Sequence, residues 1–198
     1  GAIGNGVELL ALSGAARGPE MQLIAESVAA AQARIRFFRM AFGAAGRGQR
    51  VAGTEIASIL AAASKGGRLG YRWTGPDQVL RADAKLAFLA ALCAETALPR
   101  GGTIALACSG TGWVIAGTGP VVRLESALAD GLTRGADPGD IAAAQIQFVL
   151  LPAEARRLGR QIAAEVTRAY HAAGAATRRL EAFGAEVLPR FEENLMAL

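Results

Sequence analysis

Few side chains in this sequence have the type and spacing to do chemistry. The runs Ser109–Gly112 (SGTG) and Gly117–Pro120 (GTGP) have the composition of loops that cradle phosphate through backbone N–H groups. Neither opens a helix as a dinucleotide fingerprint does, and no Walker pattern is present. Both therefore read as turns, the first a hairpin between strands at Thr103–Cys108 and Trp113–Gly117. His171 is the single histidine and stands outside every apolar stripe. With only two, separated cysteines, Cys93 and Cys108, it has no zinc-ligand spacing, and no Ser-His-Asp set assembles around it. Asp83 and Glu95 flank an apolar helix instead of pairing, and Asp83 suits its start. Arg34, Arg36 and Arg39 crowd the late part of a long helix. They read as a solvated face complementing the helix dipole, or as a positive rim that steers an acidic partner. Taken alone these residues make no enzyme, so any chemistry uses a group supplied from elsewhere or is confined to docking.

The element that positions these arginines is Pro19–Ala45. Its apolar residues Met21, Ile24, Val28, Ala31, Ile35, Phe38 and Phe42 are spaced alternately by three and four, a seam of period 3.5. Pro19 suits a first helical turn, and Gly43 and Gly46 are stops. The helix spans about 40 Å at ~1.5 Å per residue. Before it, Gly1–Leu12 carries a matching stripe of Ile3, Val7 and Leu10, with Ser13–Gly18 as the turn between two antiparallel helices. The first helix covers only about 18 Å. A second subunit covering the excess, and a first helix that begins ahead of Gly1, are both expected. Such hairpins pair by two-fold symmetry into four-helix bundles.

The chain has 198 residues, 52% hydrophobic and 6% aromatic, and much of the apolar content is Ala, so its helices can pack closely. No run reaches the ~18 uninterrupted apolar residues of a membrane span. The net charge of +4 comes mostly from Arg, since only Lys65 and Lys85 are lysines. No run of like charge and no aromatic–basic interleaving marks a nucleic-acid groove. Reduced thiols in a cytoplasmic protein are expected, because nothing resembles a disulfide framework.

Gly46–Gln49 is the best domain boundary. Beyond it come a helix at Glu55–Ser64, a strand at Arg68–Thr74, a turn at Gly75–Asp77 and an apolar helix at Asp83–Leu98. After the two hairpin strands, helices are expected at Leu124–Thr133 and Ile141–Leu158, the latter kinked or divided at Pro152. Gln161–Val166 reads as a final strand and Tyr170–Leu198 as helix again. The fold class is α+β: a helical hairpin at 1–46, a two-layer sandwich at 50–166 and a helical tail at 167–198.

GAIGNGVELL followed by RIRFFRMAFGAAG resembles the histidine phosphotransferases of the bacterial ChpT type. The resemblance implies a dimerising hairpin and then a degenerate GHKL-type (Bergerat-like) ATPase fold. The family motif runs His-Asp-Leu/Phe-x-Ser-Pro and then a segment like Gly1–Leu10. The phosphoaccepting histidine would thus stand about seven residues, roughly two helical turns, ahead of Gly1, and no catalytic residue falls within the chain. Asp83–Leu98 with Pro99–Gly102 matches the helix that carries the Asn box of true kinases, with Ala and Leu in place of its ligands. Val114–Gly119 takes the place of the kinase Asp-x-Gly-x-Gly, with Ala116 standing where the adenine-reading Asp would be. Ile146–Phe148 through Gly159–Ile162 is similar to the family's last helix and strand. The tail departs, because the family closes with one more strand soon after QIAAEV.

The resemblance implies a phosphorelay protein. It would take phosphoryl from the receiver domain of a hybrid kinase and pass it to response-regulator receivers. No cofactor is bound, and the receiver brings Mg²⁺. The partners are a second copy of the chain and these receivers, with no nucleic acid and no membrane. Asn5, Glu8, Arg36 and Arg39 are the expected docking residues. Ile3, Val7, Leu10, Met21, Ile24, Val28, Ile35, Phe38 and Phe42 are the expected dimer seam. The alternatives are an ATP-binding kinase-like enzyme of the same fold and a dimerisation or scaffold module.

Overall fold

The computed structural model describes residues 2–12, 18–109, 112–134, 139–170 and 176–182. Helix α1 (Ala2–Leu12) packs on the long α2 (Pro19–Phe42). Pro19 opens α2 and Glu20 lies in its first turn, favourable to the dipole. The helix stops at Phe42, three residues before the expected end, where the Gly43 N–H donates to the Arg39 carbonyl at 3.1 Å. The Arg81 guanidinium donates to the same carbonyl at 2.7 Å, satisfying one of the open acceptors of a helix end.

The chain then runs through β1 (Arg50–Ala52), α3 (Gly53–Ser64), β2 (Leu69–Thr74) and β3 (Gln78–Leu80). It continues through α4 (Arg81–Ala97), β4 (Gly102–Ser109), β5 (Gly112–Gly119) and α5 (Ser126–Arg134). A 3-10 turn (Ala143–Gln145), α6 (Gln147–Arg157), β6 (Ala164–Tyr170) and β7 (Ala176–Ala182) follow. The small ladder β1–β3 is antiparallel, with Val51 opposite Val79. The main sheet has the order β2-β4-β5-β7-β6. Only β2 and β4 are parallel, because α4 forms the crossover between them. Helix α4 lies on β4 and β5, and α2, α3 and α6 join the same helical layer. Being covered on nearly all sides, α4 is apolar all round: Leu86, Phe88, Leu89, Leu92 and Cys93 are all buried.

Three expectations are corrected. Residues 167–170 and 176–182 are strand and not helix: β6 runs on to Tyr170 and β7 pairs with both β5 and β6, Leu180 lying opposite Gly117 and Val166. The apolar spacing of this stretch suggested a helix, but an unpaired β5 edge offers a ladder to it. Second, α4 begins at Arg81 with Leu80 at its N-cap, so Asp83 lies inside the first turn and is not the cap. Third, Pro152 neither divides nor ends α6, which continues to Arg157; the helix starts later than expected, after the 3-10 turn.

Gly117–Gly119 of the GTGP run are the end of β5, with Pro120 just beyond it, so these glycines belong to a strand and not to the expected turn. A methyl at Gly117 would meet Leu98 Cδ1 at 3.4 Å, and one at Gly119 would meet the Gly101 carbonyl oxygen at 2.4 Å. These glycines admit α4 and a neighbouring backbone. Residues 110 and 111 of the SGTG run, and His171, lie outside the described residues.

Candidate functional site

Most seam residues of α2 lie on the side turned away from α4, while Phe38 and Phe42 line a cavity of about 380 Å³ with Leu92, Glu95 and Thr96 of α4. The helix buries Ala33, Phe37, Met40 and Ala41 against the body. Ile24, Val28, Ile35 and Phe42 lie roughly half a turn round from Phe37 at 3.6 residues per turn. Three of them stay open: Ile24 is 48% exposed, Ile35 54% and Phe42 39%. On α1, Ile3 and Leu10 are exposed and Val7 is half-buried; Met21 and Val28 are half-buried on α2. The long helix is thus two-faced, with one stripe serving the core and a second left uncovered in the single chain.

Beside that second stripe runs a groove of about 660 Å³ between the start of α1 and the later half of α2. Ile3, Val28, Ala31 and Ile35 give it apolar walls, and Arg36 and Arg39 give it positive charge. The close approach at its floor uses Gly4, where a methyl would run into the Gln32 side chain. Of the expected docking residues, the structure brings Arg36 and Arg39 together at the groove, both exposed. Asn5 is exposed on α1 outside the groove lining, and the side chain of Glu8 lies outside the described residues.

Arg34 does not belong with them. Its guanidinium makes a two-pronged bond to Glu95 on α4, Nη1 to Oε1 at 2.8 Å and Nη2 to Oε2 at 2.6 Å. Tyr71 on β2 donates its hydroxyl to Glu95 Oε1 at 2.5 Å. The same guanidinium lies 4.5 Å from the Phe38 ring centre and 5.0 Å from that of Phe37. Burial, then the Glu95 charge beside it, pushes the Tyr71 phenol far above its ordinary value. Burial opposes the charge on Arg34, but Glu95 outweighs it and the guanidinium is held more firmly protonated. The sequence carried one signal for this pairing. Glu95 sits in the last turn of α4, where the dipole disfavours a carboxylate unless a cation meets it.

Two further ties hold α6 and the residues just after it to α4. Lys85 donates to Glu154 at 2.6 Å, with Arg157 on the other Glu154 oxygen at 2.7 Å, and Arg160 lies 3.2 Å from Asp83. The Lys85 hydrogen bond lowers the Glu154 pKa against a smaller opposing effect of burial.

The alternation of side chains along β5 corrects the reading of Ala116. Ile115, Gly117 and Gly119 face α4, so Ala116 points to the opposite side of the sheet. Ile115 therefore occupies the Asp position of an Asp-x-Gly-x-Gly spacing, and its side chain is buried in the core. Leu128 and Leu132 of α5, with Phe148, Leu151 and Ala155 of α6, join that same buried cluster with Leu86, Leu89 and Leu92. Among the described residues no group of His, Cys, Asp and Glu is placed to hold a metal ion, and no helix is long and apolar enough to cross a membrane.

Residues 53–170 match the family of the histidine phosphotransferase C-terminal domain. The chain is 32% identical over 163 residues to the protein phosphotransferase ChpT of Brucella abortus (strain 2308), covering 78% of this chain and 77% of that protein. It is also similar to the solved structure of a bacterial phosphotransferase, with a TM-score of 0.66 and 25% identity over 91% of this chain and 86% of that one. The match spans the body from α3 through β6, and the identity to ChpT extends over most of the chain: it belongs to the histidine phosphotransferase family.

Proposed function

We propose that this chain is a phosphorelay histidine phosphotransferase. It passes phosphoryl groups between receiver domains of two-component proteins and binds no ATP. The observation that carries the reading is the combination of family membership with a two-faced α2, whose outer stripe and arginine-lined groove stay open. A second copy covers the outer stripe and completes a four-helix bundle, since exposed Ile24, Ile35, Phe38 and Phe42 form a contiguous apolar strip of the kind that marks an interface. The domain organisation follows: a helical pair for dimerisation and phosphotransfer, and a degenerate GHKL-like body.

By the same family resemblance, the acceptor imidazole belongs to the motif ahead of Gly1. A phosphorylated receiver carries an acyl phosphate on Asp; the imidazole nitrogen attacks phosphorus in line as the carboxylate leaves. The receiver brings the Mg²⁺ and the acidic pocket. Arg36 and Arg39 supply a positive rim that speeds encounter with that acidic surface and fixes its register. Catalysis is then chiefly positioning. The alternative of an ATP-binding enzyme is disfavoured by the buried Ile115 and by the leucines of α5 and α6, which fill the space beside α4.

The test is a titration of a receiver domain into the protein at low and high salt. Binding that falls several-fold in Arg36→Ala/Arg39→Ala and weakens with salt supports the reading. Unchanged affinity counts against the groove. A nucleotide-dependent rise in melting temperature would restore the kinase-like alternative.

A further inference from the structure

Among the described residues, helix α2 buries side chains against the body through its later half. Its buried residues begin at Ala33, and Pro19–Gln32 contributes none. Arg34 thus stands where the helix leaves the body. From that one position it binds Glu95 on α4 with both Nη atoms, while Tyr71 on β2 fixes the same carboxylate from a third element. Three elements of different origin meet on one carboxylate that is only 14% exposed.

We infer that Arg34, Glu95 and Tyr71 form a positioning latch that sets the direction in which the α1–α2 pair leaves the sheet body. A two-pronged guanidinium–carboxylate pair is directional where apolar packing is not. Phe37 can roll against Phe88 and Tyr71, whose ring centres lie 4.7 and 5.5 Å away, with little change in contact. The Arg34–Glu95 fork cannot tilt without breaking one of its bonds. The lever is long: a tilt of about 10° at Arg34 moves Pro19 by about 4 Å at ~1.5 Å per residue. Group transfer is sensitive to displacements of about 1 Å. The latch therefore makes one rigid surface of the groove on the helical pair and the body beside it. The second tie at the end of α2, from the Arg81 guanidinium to the Arg39 carbonyl, fixes the pivot but leaves rotation about it free.

The inference stands on geometry within one chain, so its test needs no receiver. Spin labels are placed at Ala29→Cys on the exposed side of α2 and at Arg100→Cys on the body, in a Cys108→Ser background that leaves buried Cys93 in place. Labelled protein is diluted with unlabelled chain, so that measured distances lie within a protomer. The latch predicts one narrow distance distribution in the parent. It predicts a distribution broadened or shifted by several ångströms in Glu95→Gln and in Arg34→Met, with the circular dichroism spectrum retained. Arg34→Lys, which keeps the charge and loses the fork, should not restore the narrow distribution. If Glu95→Gln does not fold, Tyr71→Phe removes one arm alone and should broaden the distribution to a lesser degree. A distribution equally narrow and unshifted in the folded variants overturns the latch. Receiver binding lost without any change in distance also overturns it, because the cluster is then a contact surface. A latch that holds while receivers fail to bind leaves the inference intact and removes the proposed function.

Discussion

Phe37 and Phe38 are neighbours in the chain and belong to different surfaces. Phe37 is fully buried, tilted against Phe88 at 57° with ring centres 4.7 Å apart. Phe38 is 39% exposed and stacks on Phe42 at 5.7 Å along the open stripe. The boundary between the core and the open stripe therefore falls between two consecutive residues of α2.

Truncating the two should separate folding from assembly. Phe37→Ala should destabilise the chain by about 3–5 kcal/mol, the usual cost of emptying a buried aromatic site. Phe38→Ala should leave the fold's stability nearly unchanged and weaken self-association. Denaturant unfolding of each variant, set beside sedimentation equilibrium, checks both. Equal losses of stability in the two would contradict the division.

The Lys85–Glu154–Arg157 cluster sets a pH dependence. The Glu154 pKa is lowered in the folded chain, so the unfolded chain binds more protons near and below the ordinary value of 4.5. The contribution is present above that value and is lost as pH falls through the lower folded pKa. Glu154→Gln should therefore narrow the gap in stability between pH 6 and pH 3, read from melting temperatures, while parent and variant converge at the acid end.

Two glycines should respond differently to a methyl group. Gly66, at φ 68°, has open space around it, so Gly66→Ala should cost about 1 kcal/mol of left-handed strain. Gly102, at φ 149°, would place its methyl 2.0 Å from the Thr118 carbonyl oxygen. Gly102→Ala should cost about 2–4 kcal/mol, strain and overpacking together. Chemical denaturation of the two variants measures the difference, and equal costs would show that the β4–β5 backbone can spread.

Local signals were enough to read the helical pair and the apolar α4 as a helix. The three-and-four spacing from Met21 to Phe42 and the Pro19 start are properties of a single helix. What the spacing hid was the second stripe of α2. Ala33, Phe37, Met40 and Ala41 share a face, but Ala is too common here to stand out. Grouping Arg34 with Arg36 and Arg39 failed for a similar reason. Two residues along a helix turn a side chain roughly 200°, so Arg34 faces Glu95 while Arg36 faces the groove. Strand β7 depends on a ladder with β5, a partner distant in sequence, and no short window around residues 176–182 contains it. The Ile115 position was legible: an Asp-x-Gly-x-Gly spacing that ends on Gly117 and Gly119 starts at Ile115, and the structure adds that Ile115 and both glycines face α4.

The most direct measurement follows the phosphoryl group itself. A receiver domain labelled with radioactive phosphoryl is mixed with the 198-residue chain, and in parallel with a form carrying the family's histidine motif ahead of Gly1. The account predicts label on the longer form alone, then passage to a second receiver without added nucleotide. Stable label on the 198-residue chain, or transfer between receivers that proceeds only with ATP, would contradict it.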